Sequence, residues 1–295
     1  MSMPSHSAHG AGVIHNIGYR RYTGPRLGRR HIAGALYSQT LQGSFGIGRG
    51  MGAKLFPWFL IGCMMLPAFI LVAVTSQTKA TAVELNAYTM MLSAIPILFI
   101  AVQAPQAVSR DLRFGTLSLY FSRPLAHGDY VGAKIAGSFT ALFAVMAAPL
   151  VLLYVGELLI SAPFFSTTLD LLKSMVAVAI LALMFVVIGL LIASVTPRRG
   201  LGVAAIIAVL SGSFGVANVL QSMAEVFDAD PHLLSIVSPV SMYDTIQSFL
   251  FGYPPSIGVE EPSFGAGITV TLTAVAIIAL CGWLLNLRYR KVASA

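Results

Sequence analysis

Residues 174–197 read SMVAVAILALMFVVIGLLIASVTP, bounded by Lys173 on one side and Arg198 on the other. The run holds no charged side chain and no histidine. A helix needs about 20 residues to cross the hydrocarbon of a bilayer, and this stretch is long enough. Lipid offers no partner to a backbone N–H or C=O, so such a run must be helical. Five further charge-free windows lie at 55–78, 85–109, 135–156, 200–224 and 264–287, whereas the uncharged stretches 158–169 and 231–243 are too short to span. The reading is an all-α membrane protein with six transmembrane helices, at about 55–76, 87–108, 135–156, 174–195, 201–223 and 266–287.

Composition agrees. Of 295 residues, 57% are hydrophobic and 10% are charged, against about 25% charged in a soluble domain. Eighteen Lys and Arg and eleven Asp and Glu cannot cover the surface of a soluble chain of this length. A soluble globular protein and a disordered one are both excluded. Cys63 and Cys281 lie in apolar runs and form no metal or disulfide motif, so buried packing is their reading.

The net charge of +7 is explained by where it sits. Sixteen Lys and Arg fall in the N-terminal segment, the 109–134 loop, residues 198–199 and the C-terminal tail, against only Lys79 and Lys173 on the other side. The positive-inside rule then places both termini in the cytoplasm and removes any need for a nucleic-acid partner. The chain divides into a cytoplasmic tail and amphipathic helix (1–54), the six-span domain (55–287) and a short cytoplasmic tail (288–295). The first 54 residues are polar and carry no secretory h-region, so the first span is expected to be the insertion signal. Ile32, Leu36 and Leu41 predict an amphipathic helix over 31–42 on the inner membrane face. Glycines 43, 46, 48, 50 and 52 then supply a bend into the first span.

Several chemistries fail on detail. The run 46–54, GIGRGMGAK, is neither GxxxxGK[ST] nor GxGxxG and no strand precedes it, so no nucleotide site is expected in this chain. His6, His9 and His15 have no acid or thiolate beside them, and no span contains a histidine, so no metal or haem site is expected. Gly212-Ser213-Phe214-Gly215 lacks the first glycine of a nucleophile elbow. Met64-Met65 and Met90-Met91 read as gap-filling rather than as a copper path. The chain is not expected to be an enzyme. Empty spans also disfavour a carrier driven by an acid at mid-membrane; Glu157 is the nearest carboxylate.

The inner loop 109–134 reads SRDLRFGTLSLYFSRPLAHGDYVGAK. Leu112, Thr116 and Leu119 recur at helical spacing, beside the charges of Arg110, Asp111 and Arg113. Pro124 ends any helix there, and Asp129 is expected to cap the third span. Spacing alone leaves two readings equal: a helix lying among lipid headgroups, or a docking helix for a cytosolic protein.

The order Asp111, Gly115-Thr116, Ser122-Arg123-Pro124-Leu125, Asp129-Tyr130 and Lys134 resembles the inner loop of permease subunits of bacterial type-two ABC exporters. Asp111 stands where that family more often has Glu. The resemblance covers about 25 residues in motif and nearly the whole chain in architecture. It implies two permease subunits, identical or paralogous, each docked on an ATPase subunit that holds ATP and Mg. It makes Arg110, Asp111, Leu112, Arg113, Gly115, Thr116, Leu119 and Arg123 the coupling helix, and the segment before span one a connecting helix. It also implies short re-entrant helices within 225–263, between spans five and six. The cofactors belong to the partner, with none in this chain.

Ala204, Ala208, Ser211, Gly215 and Asn218 share one face of the fifth span, at intervals of 4, 3, 4 and 3. Packing inside the subunit and a subunit interface beside an export path are both open, and the resemblance favours the second. Gln103, Gln106, Asn218 and Gln221 are the amides expected along that path. The resulting expectation is an exporter permease in the bacterial cytoplasmic membrane. The alternatives are a membrane assembly factor working with an ATPase and, less favoured, an ion-coupled carrier.

Overall fold

Apolar runs, proline positions and a few polar caps account for the helices. The structure, a computed structural model, describes residues 24, 28–78, 85–109, 111, 120, 125–160, 162–196, 198–224, 226, 229–255 and 261–293. Among them every regular element is helical and none is a strand. In chain order they are α1 (Arg29–Ser44), α2 (Met51–Thr78), α3 (Leu85–Met91), α4 (Ala94–Ala107), α5 (His127–Leu159) and α6 (Phe164–Val195). Then follow α7 (Arg199–Ser222), α8 (Pro231–Leu234), a 3₁₀ turn (Ser235–Val237), α9 (Pro239–Phe251) and α10 (Phe264–Ala293).

Five of these, α2, α5, α6, α7 and α10, are long and apolar enough to cross a membrane. The expected second span is broken: α3 and α4 meet at an angle of 59°. Ser93 lies at the break and Pro96 falls in the first turn of α4, where the N–H it lacks would have no intrahelical partner. The Tyr88 hydroxyl then anchors the short outer piece by donating to the Met64 carbonyl in α2. Charge-free windows underestimate the helices, because α5 runs on past Asp129, Lys134 and Glu157, and α6 takes in Asp170 and Lys173.

The α6 helix is the centre of the bundle, with 56% of its apolar window buried, against 17% for α7 and α10. The α5 helix lies along it and carries α1 and α2 on its other faces. Glycine makes the α1 crossing possible: a Cβ on Gly137 would stand 2.8 Å from Thr40 Cβ and 3.0 Å from the Tyr37 carbonyl oxygen. Tyr37 closes the same crossing by donating to Thr140 Oγ1 at 3.1 Å.

The N-terminal helix is therefore present, over Arg29–Ser44, with Leu36 buried and Ile32 and Leu41 packed at its edge. The elbow after it uses Gly46 (φ +69°) and Gly48 (φ +79°), a backbone region that favours glycine. At the start of α5 the expectation fails in detail. Ala126 is the N-cap, and Asp129 sits in the third helical position, accepting from the Ala126 N–H at 3.2 Å. An acid there satisfies the flanking N–H instead of capping from outside.

Between α7 and α10 the chain forms the short helices α8 and α9, joined by the 3₁₀ turn. Asp230 caps α8 by accepting from the His232 N–H at 2.8 Å, and Ser238 caps α9 by accepting from the Val240 N–H at 3.2 Å. Each cap is followed by a proline at the first helical position. Every residue from Pro239 to Ser248 is buried, packed against α6, α7 and α10. Asp244 is among them, a carboxylate in the interior that counting charges window by window does not reveal.

Candidate functional site

The ends of α4, α5, α6 and α10 converge where the arginines cluster. The last carbonyls of α6 have no intrahelical donor and need partners. Ser109 Oγ donates to the Ala193 carbonyl at 2.8 Å, and Arg288 Nε donates to the Ser194 carbonyl at 2.7 Å. One helix end is thereby tied to the elements before and after it, and the arginine charge suits a helix C-terminus.

Beside this cap lies an ionic cluster centred on Asp111. One carboxylate oxygen, Oδ2, takes Lys134 Nζ at 2.9 Å and the Tyr130 hydroxyl at 2.6 Å. The side chains of Lys134 and Asp111 are 9% and 17% exposed, so the pair is largely withdrawn from water. Lys134 and Tyr130 are four residues apart on α5, on one face. The Tyr130 ring packs against Tyr289 of α10 (centroids 5.0 Å apart) and against Tyr120 (5.7 Å). Thus Asp111 and Tyr120, which bracket residues 112–119, both rest on the same tyrosine of α5. The neighbouring α1 is fixed to α5 by Arg29, which grips Asp129 through Nε and, at 2.8 Å, through Nη2. That carboxylate, by hydrogen bond first and charge second, holds the guanidinium above the ordinary arginine range. Being exposed, this second pair contributes little to stability.

Of the expected docking residues, Asp111 is placed, and it turns into the bundle. Arg110, Leu112, Arg113, Gly115, Thr116, Leu119 and Arg123 lie outside the described residues.

The expected amides separate into two groups. Gln103 is buried and Gln106 half-buried at the arginine-rich end. Gln106 Nε2 donates to the Val102 carbonyl at 3.1 Å, which aims its Oε1 at Arg49; Arg49 Nη1 donates to that oxygen at 2.5 Å. Asn218 and Gln221 sit near the far end of α7, on the order of 24 Å from Gly202, which packs on Pro105. Asn218 donates to its own helix at the Phe214 carbonyl (3.0 Å), and Gln221 to the Pro231 carbonyl (3.2 Å).

Ala204, Ala208, Ser211 and Gly215 are all exposed, and a Cβ on Gly215 would meet nothing within 4 Å. The inward face of α7 is instead Gly202, Ile206, Leu210 and Ala217. Packing within the subunit is therefore not what these small residues do.

Two adjoining cavities open at this end, sharing Arg49 and Gln106. One of about 200 Å³ is polar, reaching Gln39, Gln103, Asp111 and Lys134. The other, of about 370 Å³, is walled by Phe56, Pro57 and Val102 and carries Arg199. Arg49, Arg199 and Tyr289 were not singled out by sequence. The signal available was only that each borders an apolar run. Among the described residues no group of three or more His, Cys, Asp or Glu could hold a metal. No protein-family model matches the chain, and no curated protein matches it.

Proposed function

We propose that this chain is the membrane permease subunit of a bacterial ABC exporter, crossing the cytoplasmic membrane six times with both termini inside. Counting the bent α3–α4 pair as one span gives the six. The observation that carries the reading is the anchoring of Asp111 and Tyr120, the described residues that flank 112–119. Asp111 and Tyr120 at their two ends are both held on Tyr130, which is packed on Tyr289. A push from a protein docked on this loop would pass through Asp111 and Tyr120 to span three, and through Tyr130 to Tyr289 of span six. The resemblance of this loop to exporter coupling helices supplies the identity of that protein, an ATPase subunit binding ATP and Mg.

In this reading ATP-driven closure of two ATPase subunits moves two such loops together. The exposed small-residue face of α7 meets a second permease subunit, where close approach of helices is rewarded. The short helices α8 and α9 dip into the outer leaflet, and the buried position of α9 satisfies the demand that such segments be covered by protein.

The test is purification of the full chain from its native membranes, followed by reconstitution with whatever ATPase accompanies it. ATP hydrolysis should copurify with the chain and fall when Leu119→Asp puts an unpaired charge on the docking stripe, which costs several kcal/mol. Hydrolysis and binding unchanged by Leu119→Asp would return the loop to the lipid surface.

A further inference from the structure

Nine buried side-chain oxygens find no hydrogen-bond partner among the described residues, and six of them belong to α3 or α9: Asn86, Thr89, Ser241, Tyr243, Gln247 and Ser248. Buried polar groups are bonded in about nine cases of ten, so this grouping singles out the contact between the two helices. They pack on each other and on α6. The Tyr243 hydroxyl lies beside that of Thr89, outside hydrogen-bond geometry. Gln247 stands one turn after Tyr243 and Asn86 one turn before Thr89, each on the same face of its helix. Helix directions bring Asn86 and Gln247 to one side of that contact. The α9 helix runs against α6, since Met242 packs with Met184 while Tyr253, just beyond α9, donates to the Asp170 carbonyl at 3.1 Å. The α4 helix runs with α6: a Cβ on Gly189 would stand 3.0 Å from Ile100, and Ser109 reaches the Ala193 carbonyl at 2.8 Å. A bend of 59° leaves α3 with the sense of α4, so α3 and α9 are antiparallel. Gln247 Nε2 donates to Asp244 at 3.1 Å, which turns Oε1 away from that carboxylate. An amide oxygen cannot donate, so Asn86 Oδ1 and Gln247 Oε1 are satisfied only by a donor or a cation. Neither helix carries Lys, Arg or His.

We infer that an alkali-metal cation binds between α3 and α9, held by the amide oxygens of Asn86 and Gln247 and the hydroxyl oxygens of Thr89 and Tyr243. One cation satisfies several lone pairs at once, as it does where carbonyl oxygens replace an ion's hydration shell. An anion would meet those lone pairs instead. Magnesium and calcium draw on carboxylates, whereas all four of these oxygens are neutral. Softer metals prefer thiolate or imidazole, and neither helix has a Cys or His. The ion pins the outer piece of the broken second span to the buried helix α9. This binding does not rest on the exporter reading.

The experiment uses the full chain purified in neutral detergent and choline chloride, with thermal unfolding and equilibrium dialysis against radioactive sodium as readouts. Sodium or potassium chloride, replacing choline chloride at constant ionic strength, should raise the unfolding midpoint saturably. Dialysis should find a single sodium ion retained by each chain. Gln247→Leu and Asn86→Leu should each raise the apparent dissociation constant at least about tenfold, the value of one contact to a charged group. Ser138→Ala removes an unpartnered hydroxyl next to Gly137 at the α1 crossing, and should leave the constant unchanged. The same midpoint in choline, sodium and potassium means that water satisfies these oxygens, and overturns the site. Affinity unchanged in both leucine variants places the ion elsewhere and overturns it equally. Dialysis of the unaltered chain that retains no sodium overturns it whether or not the variants fold.

Discussion

Replacing Lys134 by Met isolates the ionic cluster that seats the inner loop. The substitution keeps an unbranched side chain but leaves the Asp111 carboxylate with its Tyr130 hydrogen bond and without its ammonium partner. Breaking a fully buried pair costs about 3–5 kcal/mol. Here the Asp111 side chain is 17% exposed and keeps its charge-assisted hydrogen bond from Tyr130, so the expected loss is about 2–3 kcal/mol. Asp111→Asn alone strands Lys134 and should cost a little less, since an ammonium on a long stem can reach water. The double substitution removes both charges together. It should be milder than the sum of the singles by at least about 1 kcal/mol, the coupling expected of groups in direct contact. Unfolding by sodium dodecyl sulfate in mixed micelles, followed by the fluorescence of Trp58 and Trp283, measures all four states. A loss below about 0.5 kcal/mol for Lys134→Met, or singles that simply add, refutes the pair as the anchor of the loop.

Gly137→Leu should break the α1–α5 crossing, since even a Cβ there meets the Tyr37 carbonyl at 3.0 Å; overpacking of this kind costs about 1–3 kcal/mol, and protease cleavage within 29–44 should rise. Gly215→Trp should leave the subunit folded, its site being open, yet reduce pairing between permease subunits, whereas Gly202→Trp should unfold it against Pro105 and Thr196. Equal folding of the two variants removes the distinction between the faces of α7. Single cysteines at Ser5 and Ser294 should be labelled only after permeabilisation, and those at Thr81 and Ser256 in intact cells. Labelling of position 294 from outside defeats the six-span topology.

The helices were legible in the sequence because lipid imposes a single requirement, an apolar run with its backbone bonded internally. The break at Ser93 was less so: Pro96 marks it, but whether a proline bends a span depends on what can anchor the shorter piece, here Tyr88 on Met64. Asp129 was read one role too far outward, because an acid serves equally at the N-cap and at the third helical position. The face of Ala204, Ala208, Ser211 and Gly215 was visible as a pattern, but its direction was not, since small residues suit internal and external contacts alike. Asp111 shows the limit most clearly. Its place in a loop beside Arg110 and Arg113 suggested a docking charge, yet its carboxylate faces Lys134, 23 positions later in the chain. An Asp111→Arg change therefore sets two cations together inside the bundle, and Leu119→Asp is the cleaner probe of docking.

The direct measurement is photocrosslinking from position 119. A benzophenone amino acid replacing Leu119 in the full chain, irradiated in native membranes, should form one dominant adduct to an ATP-binding-cassette ATPase, identified by mass spectrometry. The adduct should be absent when the same group replaces Phe165, at the opposite end of the bundle. Crosslinks from position 119 to lipid or to this chain alone, with the ATPase present in the same membranes, contradict the exporter account.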